Sequence, residues 1–315
     1  MSHVSESRQK SHPIRIIEVG PRDGLQNESR PLSLKTKLDF INALSLTGLS
    51  EIEAGAFVSP TAVPQMQNSS AVFRQLTPSP GVIYSALVPN DRGLDEALVA
   101  GVQKIAVVTA ASNSFTLHNI RANISESLTR VRSVVNRGKQ GGLQIRAYIS
   151  TVIDCPYEGR IHSSQVVAVL TQLLDLGVDE IALGETLGKA SPNDIRFLLD
   201  AVCSKIRSHQ LVLHLHDTYG MAVANALTAW EEYGIAAFDA SAGGLGGCPY
   251  APGASGNVAT EDLVAAFKAS GAVVHVDEKK VVKAAENLVK EIGHELSSKL
   301  SKVLSPRPAL APLGG

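Results

Sequence analysis

The feature of this 315-residue sequence that most limits its fold is a regular alternation of strand-like and helix-like segments. Short aliphatic runs are typical of buried strands, and apolar residues at helical spacing fill the segments between them. The predicted strands cover 14–18, 51–54, 82–87, 104–109, 143–149, 180–183, 211–215 and 237–241. The predicted helices cover 33–47, 65–76, 91–100, 124–136, 163–176, 192–206, 220–233 and 260–270. Eight strand–helix units in succession predict an α/β protein with the (β/α)8 fold, the TIM barrel.

Glycines mark the boundaries of several of these units. Gly101, Gly177 and Gly234 each stand just after a predicted helix, where glycine commonly ends the helix. A doubly wound open sheet is the alternative fold, but such a sheet rarely needs eight consecutive units. The glycine motif that often follows its first strand, Gly-x-Gly-x-x-Gly, is also missing from this sequence. The barrel is therefore the favoured prediction.

The sequence has no linker-like change of composition, so we expect a single folded domain. This domain is predicted to span residues 14–303, with one or two additional helices within 277–303. We expect residues 1–13 to be disordered and the proline-containing residues 304–315 to form a flexible tail.

Composition excludes several classes of protein. Apolar residues make up 44% of the chain but aromatic residues only 4%, so the core must be mainly aliphatic. A net charge of −1 offers no basic surface to nucleic acid or to an anionic membrane. No apolar run is long enough to span a bilayer. The odd number of cysteines and the polar first residues favour a reducing, cytoplasmic location.

Two histidines and a carboxylate fall where a barrel places its chemistry, at the carboxyl ends of strands. His214 and His216 end the seventh predicted strand, and alternate residues of a strand face the same side. Asp23 follows the first strand. Imidazole and carboxylate ligands together suit Mg²⁺, Mn²⁺ or a later first-row divalent ion. About three of six octahedral positions would stay open, and Asn257 could fill one of them.

Arg22 and Cys248 are further candidates for chemistry. Arg22 is either a salt-bridged residue at the rim or a fixed guanidinium directed at a developing oxyanion. Cys248 lies in a loop too rich in glycine to be core, so its thiol could act as a general acid or base. A phosphate-binding role of this loop is disfavoured, because the Lys-Ser/Thr pair of a P-loop is missing. Other polar residues at strand ends are Glu18, Glu53, Arg146, Tyr148, Glu185 and Thr186.

These motifs resemble the signatures of the 3-hydroxy-3-methylglutaryl-CoA lyase family. The resemblance runs in the correct order from about residue 14 to about residue 300. The loop around Cys248 distinguishes the lyases from related condensing enzymes, many of which also carry a C-terminal regulatory domain. The matching segments are 18–28, 57–60, 155–159, 214–220, 243–251 and 253–257.

The resemblance implies a metal-dependent cleavage of an acyl-CoA thioester. A 3-hydroxy-3-methylglutaryl-CoA-like substrate would give acetyl-CoA and a keto acid, here acetoacetate, in leucine degradation and ketone-body formation. Arg22 would stabilise the enolate of the departing acetyl-CoA, and Cys248 would take part in proton transfer. The resemblance also suggests a homodimer. The implied ligands of Mg²⁺ or Mn²⁺ are Asp23, His214, His216 and Asn257.

The resemblance assigns supporting roles to a second group of residues. Glu53 and Glu185 are expected to be catalytic, and Glu261 to line or support the site. Gln26, Tyr148 and Thr186 are expected to contact the substrate.

The chain departs from the family's usual pattern in two places. Residues 182–186 read Ala-Leu-Gly-Glu-Thr, where Ser-Leu-Gly-Asp-Thr is usual, and Asp154 replaces a glycine. We expect these changes to lie on the face that meets the substrate, so the preferred ester could be a longer branched or a citramalyl-type hydroxyacyl-CoA. Ordinary sequence drift is the alternative interpretation.

Three other functions were weighed against a hydroxyacyl-CoA lyase. A condensing acyltransferase is disfavoured by the cysteine loop. A non-haem iron oxygenase shares the two-histidine, one-carboxylate site but usually has an antiparallel β scaffold. An inactive relative is disfavoured because every expected ligand is present.

Overall fold

The computed structural model describes residues 12–246 and 256–304. Eight parallel strands form a closed barrel, numbered here one to eight in chain order, and strand eight pairs with strand one. The predicted TIM barrel is thereby confirmed. The strands are Arg15–Glu18, Glu51–Ala56, Ile83–Leu87, Lys104–Ala110, Gln144–Ser150, Glu180–Glu185, Leu211–Leu215 and Ala237–Ala240.

Helices surround the barrel and connect its strands. The connection after strand four holds two α-helices, three α-helices follow strand eight, and a short hairpin (Asp154–Cys155 with Gly159–Arg160) follows strand five. The helices are α1 (Leu34–Ser45), α2 (Ser69–Gln75), α3 (Asp91–Val99), α4 (Asn113–Ile120), α5 (Ile124–Gln140), α6 (Ser163–Asp175), α7 (Pro192–Val202), α8 (Ala222–Tyr233), α9 (Thr260–Ala269), α10 (Glu278–Ile292) and α11 (Lys299–Leu304).

Local side-chain caps explain where several helices begin. The Ser33 hydroxyl accepts a hydrogen bond from the Thr36 amide at 3.0 Å, which satisfies an otherwise unpaired N–H at the start of α1. Asn123 and Glu126 form a reciprocal capping box at the start of α5. At the other end of a helix, Gly234 adopts φ 68° and terminates α8.

The interior of the barrel differs from the apolar layer between strands and helices. Its lower part, at the amino ends of the strands, holds ion pairs of Lys104 with Glu51 and Glu180, at 2.8 and 2.7 Å. Above them lies a small cluster that includes the side chains of Ala106, Ala182 and Ala237. These alanines leave space inside the barrel for long polar side chains from neighbouring strands.

Helices α10 and α11 extend the barrel, as predicted for residues 277–303. The predicted disorder of residues 1–13 and the predicted tail at 304–315 fall almost wholly on residues 1–11 and 305–315, outside the described residues. Within the described ranges, the helices are too short or too polar to cross a membrane. Cys155 and Cys203 are free thiols.

Candidate active site

The two histidines of the seventh strand face each other at the mouth of the barrel. His214 is the fourth residue of the strand, and His216 lies just beyond its end. Alternation along the chain puts both rings on the inner side. Their Nε2 atoms are 3.3 Å apart. The structure therefore brings together two imidazole nitrogens that point into the same space.

Asp23 reaches this space from a tight turn after the first strand. Residues Gly20–Gly24 form one π-helical turn, in which the carbonyl of Val19 accepts the backbone N–H of Asp23 at 2.7 Å. The turn directs Asp23 Oδ2 to within 4.0 Å of His214 Nε2. One ligand atom each from Asp23, His214 and His216 lies within 4.8 Å of the other two. The convergence predicted from the sequence is observed.

This donor set fits a divalent cation. Ligands that sit about 2.1 Å from one ion at right angles are about 3 Å apart, close to the separation of the two imidazole nitrogens. Burial and the neighbouring His214 lower the pKa of His216 to about 4, so its ring is neutral near pH 7. Although burial acts in the opposite direction, the Arg22 guanidinium holds the pKa of Asp23 well below its usual range. Neutral imidazole and ionised carboxylate are the ligand forms that bind metal.

Arg22 is fixed beside this donor set by two carboxylates. Its Nε donates to Glu53 and its Nη1 donates to Asp23. The pKa of Arg22 is raised despite burial, because Glu53 and Asp23 are both close to it. Glu53 is fully buried and also accepts a hydrogen bond from the Tyr148 hydroxyl at 3.2 Å. Glu53 therefore lies behind Arg22 and holds it in place.

Asn257 contacts Asp23 directly. Its side-chain nitrogen donates to Asp23 Oδ2 at 2.7 Å and to the Leu245 carbonyl at 3.1 Å. Gly246 has φ +100°, and a side chain there would come within 2.7 Å of the Asn257 amide. The close approach of Asn257 to the donor set therefore depends on glycine at position 246. Its role as a metal ligand stays a prediction.

A cavity of about 430 Å³ opens over these groups. Gln26, Tyr148 and Thr186, predicted to contact the substrate, all belong to its lining. Thr186 is held by the backbone N–H of Thr151, which donates to its hydroxyl at 2.8 Å. Thr151 itself has φ 56°, an unusual conformation for a β-branched residue. The remaining wall combines apolar side chains with polar ones, the former including Val58, Val63, Leu87, Phe115 and Ile120 and the latter Asn27, Asn119 and Arg130.

Glu185 does not belong to the lining of this cavity. The neighbouring Gly184 and Thr186 do, so strand alternation directs the Glu185 side chain to the outer face of the barrel. It is buried there, near the carboxylate of Asp154, and Asp154 does not line the cavity either. The expectation that these two replacements face the substrate is therefore corrected, and the geometry gives no support to Glu185 as a catalytic group.

The position of Glu185 predicts a pH-dependent cost to stability. Burial raises its pKa to about 7, and Asp154 acts in the same direction. Because the folded pKa exceeds the unfolded one, stability should be lost as pH rises from about 4.5 to about 7. We expect Glu185→Gln to raise the free energy of unfolding at pH 8 by about 3 kcal/mol and to change it little at pH 4.5.

Urea unfolding of both proteins at the two pH values measures this difference. The exposed Glu231→Gln on α8 is the matched control and should be neutral at both. An equal effect of Glu185→Gln at pH 4.5 and pH 8 would contradict the assignment.

Two buried carboxylates support the start of the loop that carries Cys248. Glu261 accepts the backbone N–H of Gly243 at 3.0 Å, and Glu18 accepts that of Ala242 at 2.9 Å. The supporting role expected for Glu261 agrees with this contact. Cys248 itself lies outside the described residues, so its assignment stays a prediction.

Asp239 is a residue beside the donor set that the sequence analysis did not predict. Asp239 on strand eight places Oδ2 3.0 Å from His214 Nδ1. Burial opposes its ionisation, but Arg146 and His214 lower the pKa of Asp239 to about 2. A signal was present in the sequence, because an aspartate interrupts the otherwise apolar strand Ala237–Ala240. A buried charge at such a position needs a partner.

The model of the HMGL-like family matches residues 13–289. The chain belongs to the HMGL-like family. The resemblance to hydroxymethylglutaryl-CoA lyases noted in the sequence is thereby confirmed.

Individual members of the HMGL-like family are similar over nearly the whole chain. The 3-hydroxy-3-isohexenylglutaryl-CoA/hydroxymethylglutaryl-CoA lyase of Pseudomonas aeruginosa is 43% identical over 92% of this chain and 97% of its own length. The HMG-CoA lyase structure from Bacillus subtilis has a TM-score of 0.91 and 42% identity, covering 92% of this chain and 97% of that one. An HMG-CoA lyase from Acinetobacter baumannii, solved with coenzyme A and 3-methylmalate, has a TM-score of 0.88 and 38% identity, covering 94% and 98%.

Proposed function

We propose that this protein is a divalent-metal-dependent carbon–carbon lyase of the HMGL-like family. Its substrate is 3-hydroxy-3-methylglutaryl-CoA or a close 3-hydroxyacyl-CoA, and its products are acetyl-CoA and acetoacetate or the matching keto acid. The observation that carries the proposal is the cluster of Asp23, His214 and His216 beside the fixed guanidinium of Arg22. That cluster lies in a chain similar along its length to hydroxymethylglutaryl-CoA lyases.

Asp23, His214 and His216 would hold the cation, Mg²⁺ or Mn²⁺, and Asn257 would complete the set. A bound cation supplies Lewis acidity, which lowers the pKa of a substrate hydroxyl at the site. In the described structure, Asn257 orients Asp23 by donating to the oxygen that faces the histidines.

Arg22 stabilises the negative charge that develops on the thioester oxygen as the carbon–carbon bond breaks. Glu53 and Asp23 fix the guanidinium before the reaction, so little reorganisation is needed when the charge appears. A base takes the proton of the tertiary hydroxyl, whose oxygen becomes the carbonyl of the keto acid, and Cys248 delivers a proton to the acetyl-CoA carbon. Gln26, Tyr148 and Thr186 line the cavity and orient the acyl group.

The apolar wall of the cavity favours a second substrate, a hydroxyacyl-CoA with a longer branched chain. Val58, Val63 and Leu87 contribute apolar side chains to the wall, which an acyl branch longer than a methyl group could contact. A relative from Pseudomonas aeruginosa is named for both a methyl and an isohexenyl substrate. Turnover of both esters by one preparation would establish this breadth.

The function is tested by metal removal. Purified protein treated with EDTA should not release acetyl-CoA from 3-hydroxy-3-methylglutaryl-CoA, and Mg²⁺ or Mn²⁺ should restore the release. His216→Ala should not be restored at the same metal concentration, because one ligand is lost. Release that is unaffected by EDTA, or oxygen consumption with Fe²⁺, would overturn the proposal.

Two further properties rest on the resemblance, and a third, the location, rests on the odd number of cysteines. We propose a homodimer, a cytoplasmic location and a role in leucine degradation and ketone-body formation. Both cytoplasmic and mitochondrial relatives occur among the similar proteins. Gel filtration with light scattering measures the first property.

A further inference from the structure

A buried ion pair lies against the outer nitrogen of His214. Asp239 on strand eight is the register partner of His214 on strand seven, and its Oδ2 is 3.0 Å from His214 Nδ1. Its other oxygen accepts a hydrogen bond from Arg146 Nη2. Arg146 is 1% exposed and Asp239 is 2% exposed. These three side chains form a line from the barrel interior to the cation site.

Arg146 reaches Asp239 from the opposite wall of the barrel. It lies on strand five, and strands six and seven separate that strand from strand eight. Its guanidinium carbon is 4.8 Å from the centre of the Tyr148 ring. Arg146 Nε and Nη1 have no hydrogen-bond partner among the described residues, and the guanidinium packs against this ring in a cation–π contact.

The Tyr148 ring connects Arg146 to the other half of the site. The Tyr148 hydroxyl donates to Glu53, and Glu53 accepts a hydrogen bond from Arg22. Arg146 therefore contacts two series of interacting side chains. One runs through Asp239 to His214, and the other runs through Tyr148 and Glu53 to Arg22.

Stability alone does not account for this arrangement. A buried ion pair rarely stabilises a fold more than apolar side chains of the same size, because desolvation of the charges offsets their attraction. A carboxylate on the outer nitrogen of a metal-binding histidine has a clear effect, however. It accepts the Nδ1 proton and leaves the Nε2 lone pair directed at the ion.

We propose that Asp239 and Arg146 are positioning residues, which keep the proton of His214 on Nδ1 and direct its Nε2 toward the cation. Asp239 acts on His214 directly, and Arg146 fixes the orientation of Asp239. The proposal rests on the proposed function only in taking His214 as a metal ligand.

The tautomer can be measured without metal or substrate. In protein labelled with [¹⁵N]histidine, a long-range ¹H–¹⁵N spectrum at pH 8 should show His214 protonated on Nδ1. The His214→Gln variant identifies the signal. We expect Asp239→Asn, whose amide can donate to Nδ1, to move the proton to Nε2. Glu51→Gln, a buried carboxylate lower in the barrel, is the matched control and should leave the signal unchanged.

Metal affinity is the second readout. Titration of the metal-free protein with Mn²⁺ should show about 10–100-fold weaker binding by Asp239→Asn, with unchanged affinity of Glu51→Gln. Arg146→Met should weaken binding by a similar factor, and Arg146→Lys should restore part of it, because the lysine keeps a charge near Asp239. If Arg146→Met fails to fold, Arg146→Lys still tests the role of Arg146, because its Mn²⁺ affinity should lie below that of wild type.

An unchanged His214 tautomer in Asp239→Asn, or Mn²⁺ affinity within twofold of wild type, would overturn the proposal. Failure of the proposed function looks different. In that case wild-type protein would bind Mn²⁺ with the expected tautomer and still release no acetyl-CoA.

Discussion

Replacing Arg22 with glutamine is expected to lower kcat by about 10²–10³-fold, with little change in KM for the thioester. Glutamine removes the positive charge from the point where Glu53 and Asp23 fix it. The charge is needed chiefly when the thioester oxygen becomes negative, so its loss should affect the transition state more than substrate binding. Steady-state kinetics with saturating metal measures both constants.

Two further variants test whether the loss of kcat depends on the hydrogen bonds and the position of the Arg22 guanidinium. Arg22→Lys keeps the charge but cannot donate to both carboxylates in the same way, so its kcat should fall between those of wild type and Arg22→Gln. Arg132→Gln, at an exposed position of α5, should be unchanged. A rise in KM with unchanged kcat would make Arg22 a substrate-binding residue only.

Cys248→Ala should slow turnover by about 10²–10⁴-fold, the usual contribution of a positioned proton donor or acceptor. The described residues on either side of its loop support this expectation. The backbone N–H of Asn257 donates to the carbonyl of Gly246 at 3.2 Å, so both ends of segment 247–255 lie at the cation site. In the sequence, Cys248 follows Gly246 by two positions.

Mn²⁺ affinity separates this role of Cys248 from damage to the site. Binding by Cys248→Ala should stay within twofold of wild type, because its thiol is not among the proposed ligands. Cys203→Ala is the control. It removes a half-buried thiol at the end of α7 that does not line the active-site cavity, so turnover should stay intact. Wild-type turnover by Cys248→Ala would exclude the thiol from the mechanism.

The eight strands could be predicted from the sequence because each is a short aliphatic run between helical segments. Helix α4 (Asn113–Ile120) was missed, since its Leu117 is exposed and its apolar residues form no continuous stripe. The Ser112 hydroxyl accepts a hydrogen bond from the Phe115 amide at 3.1 Å, and a serine at this position is a sequence signal for the start of a helix. The predicted helix 65–76 is shorter than expected, with a 3-10 turn before α2.

The meeting of Asp23 with the two histidines was predictable, because the carboxyl ends of all barrel strands open on one face. The π-helical turn that directs Asp23 was not, because no periodic pattern encodes it. Glu185 was placed in the site by its order in the sequence. Strand alternation from Thr186 would have placed it on the outer face. The contact of Asp239 with His214 needed the register of two strands that only the closed barrel supplies.

Ala182 does not line the cavity, but it packs beside a residue that does. It is the register partner of Tyr148, and both side chains share the tight inner cluster of the barrel. The family resemblance leads one to expect serine here, and a hydroxyl at this position would lie beside the aromatic ring that Arg146 contacts. A substitution at such a buried position can shift the Tyr148 ring without replacing any residue of the cavity wall. Position 182 is therefore a starting point for laboratory evolution of new ester preferences.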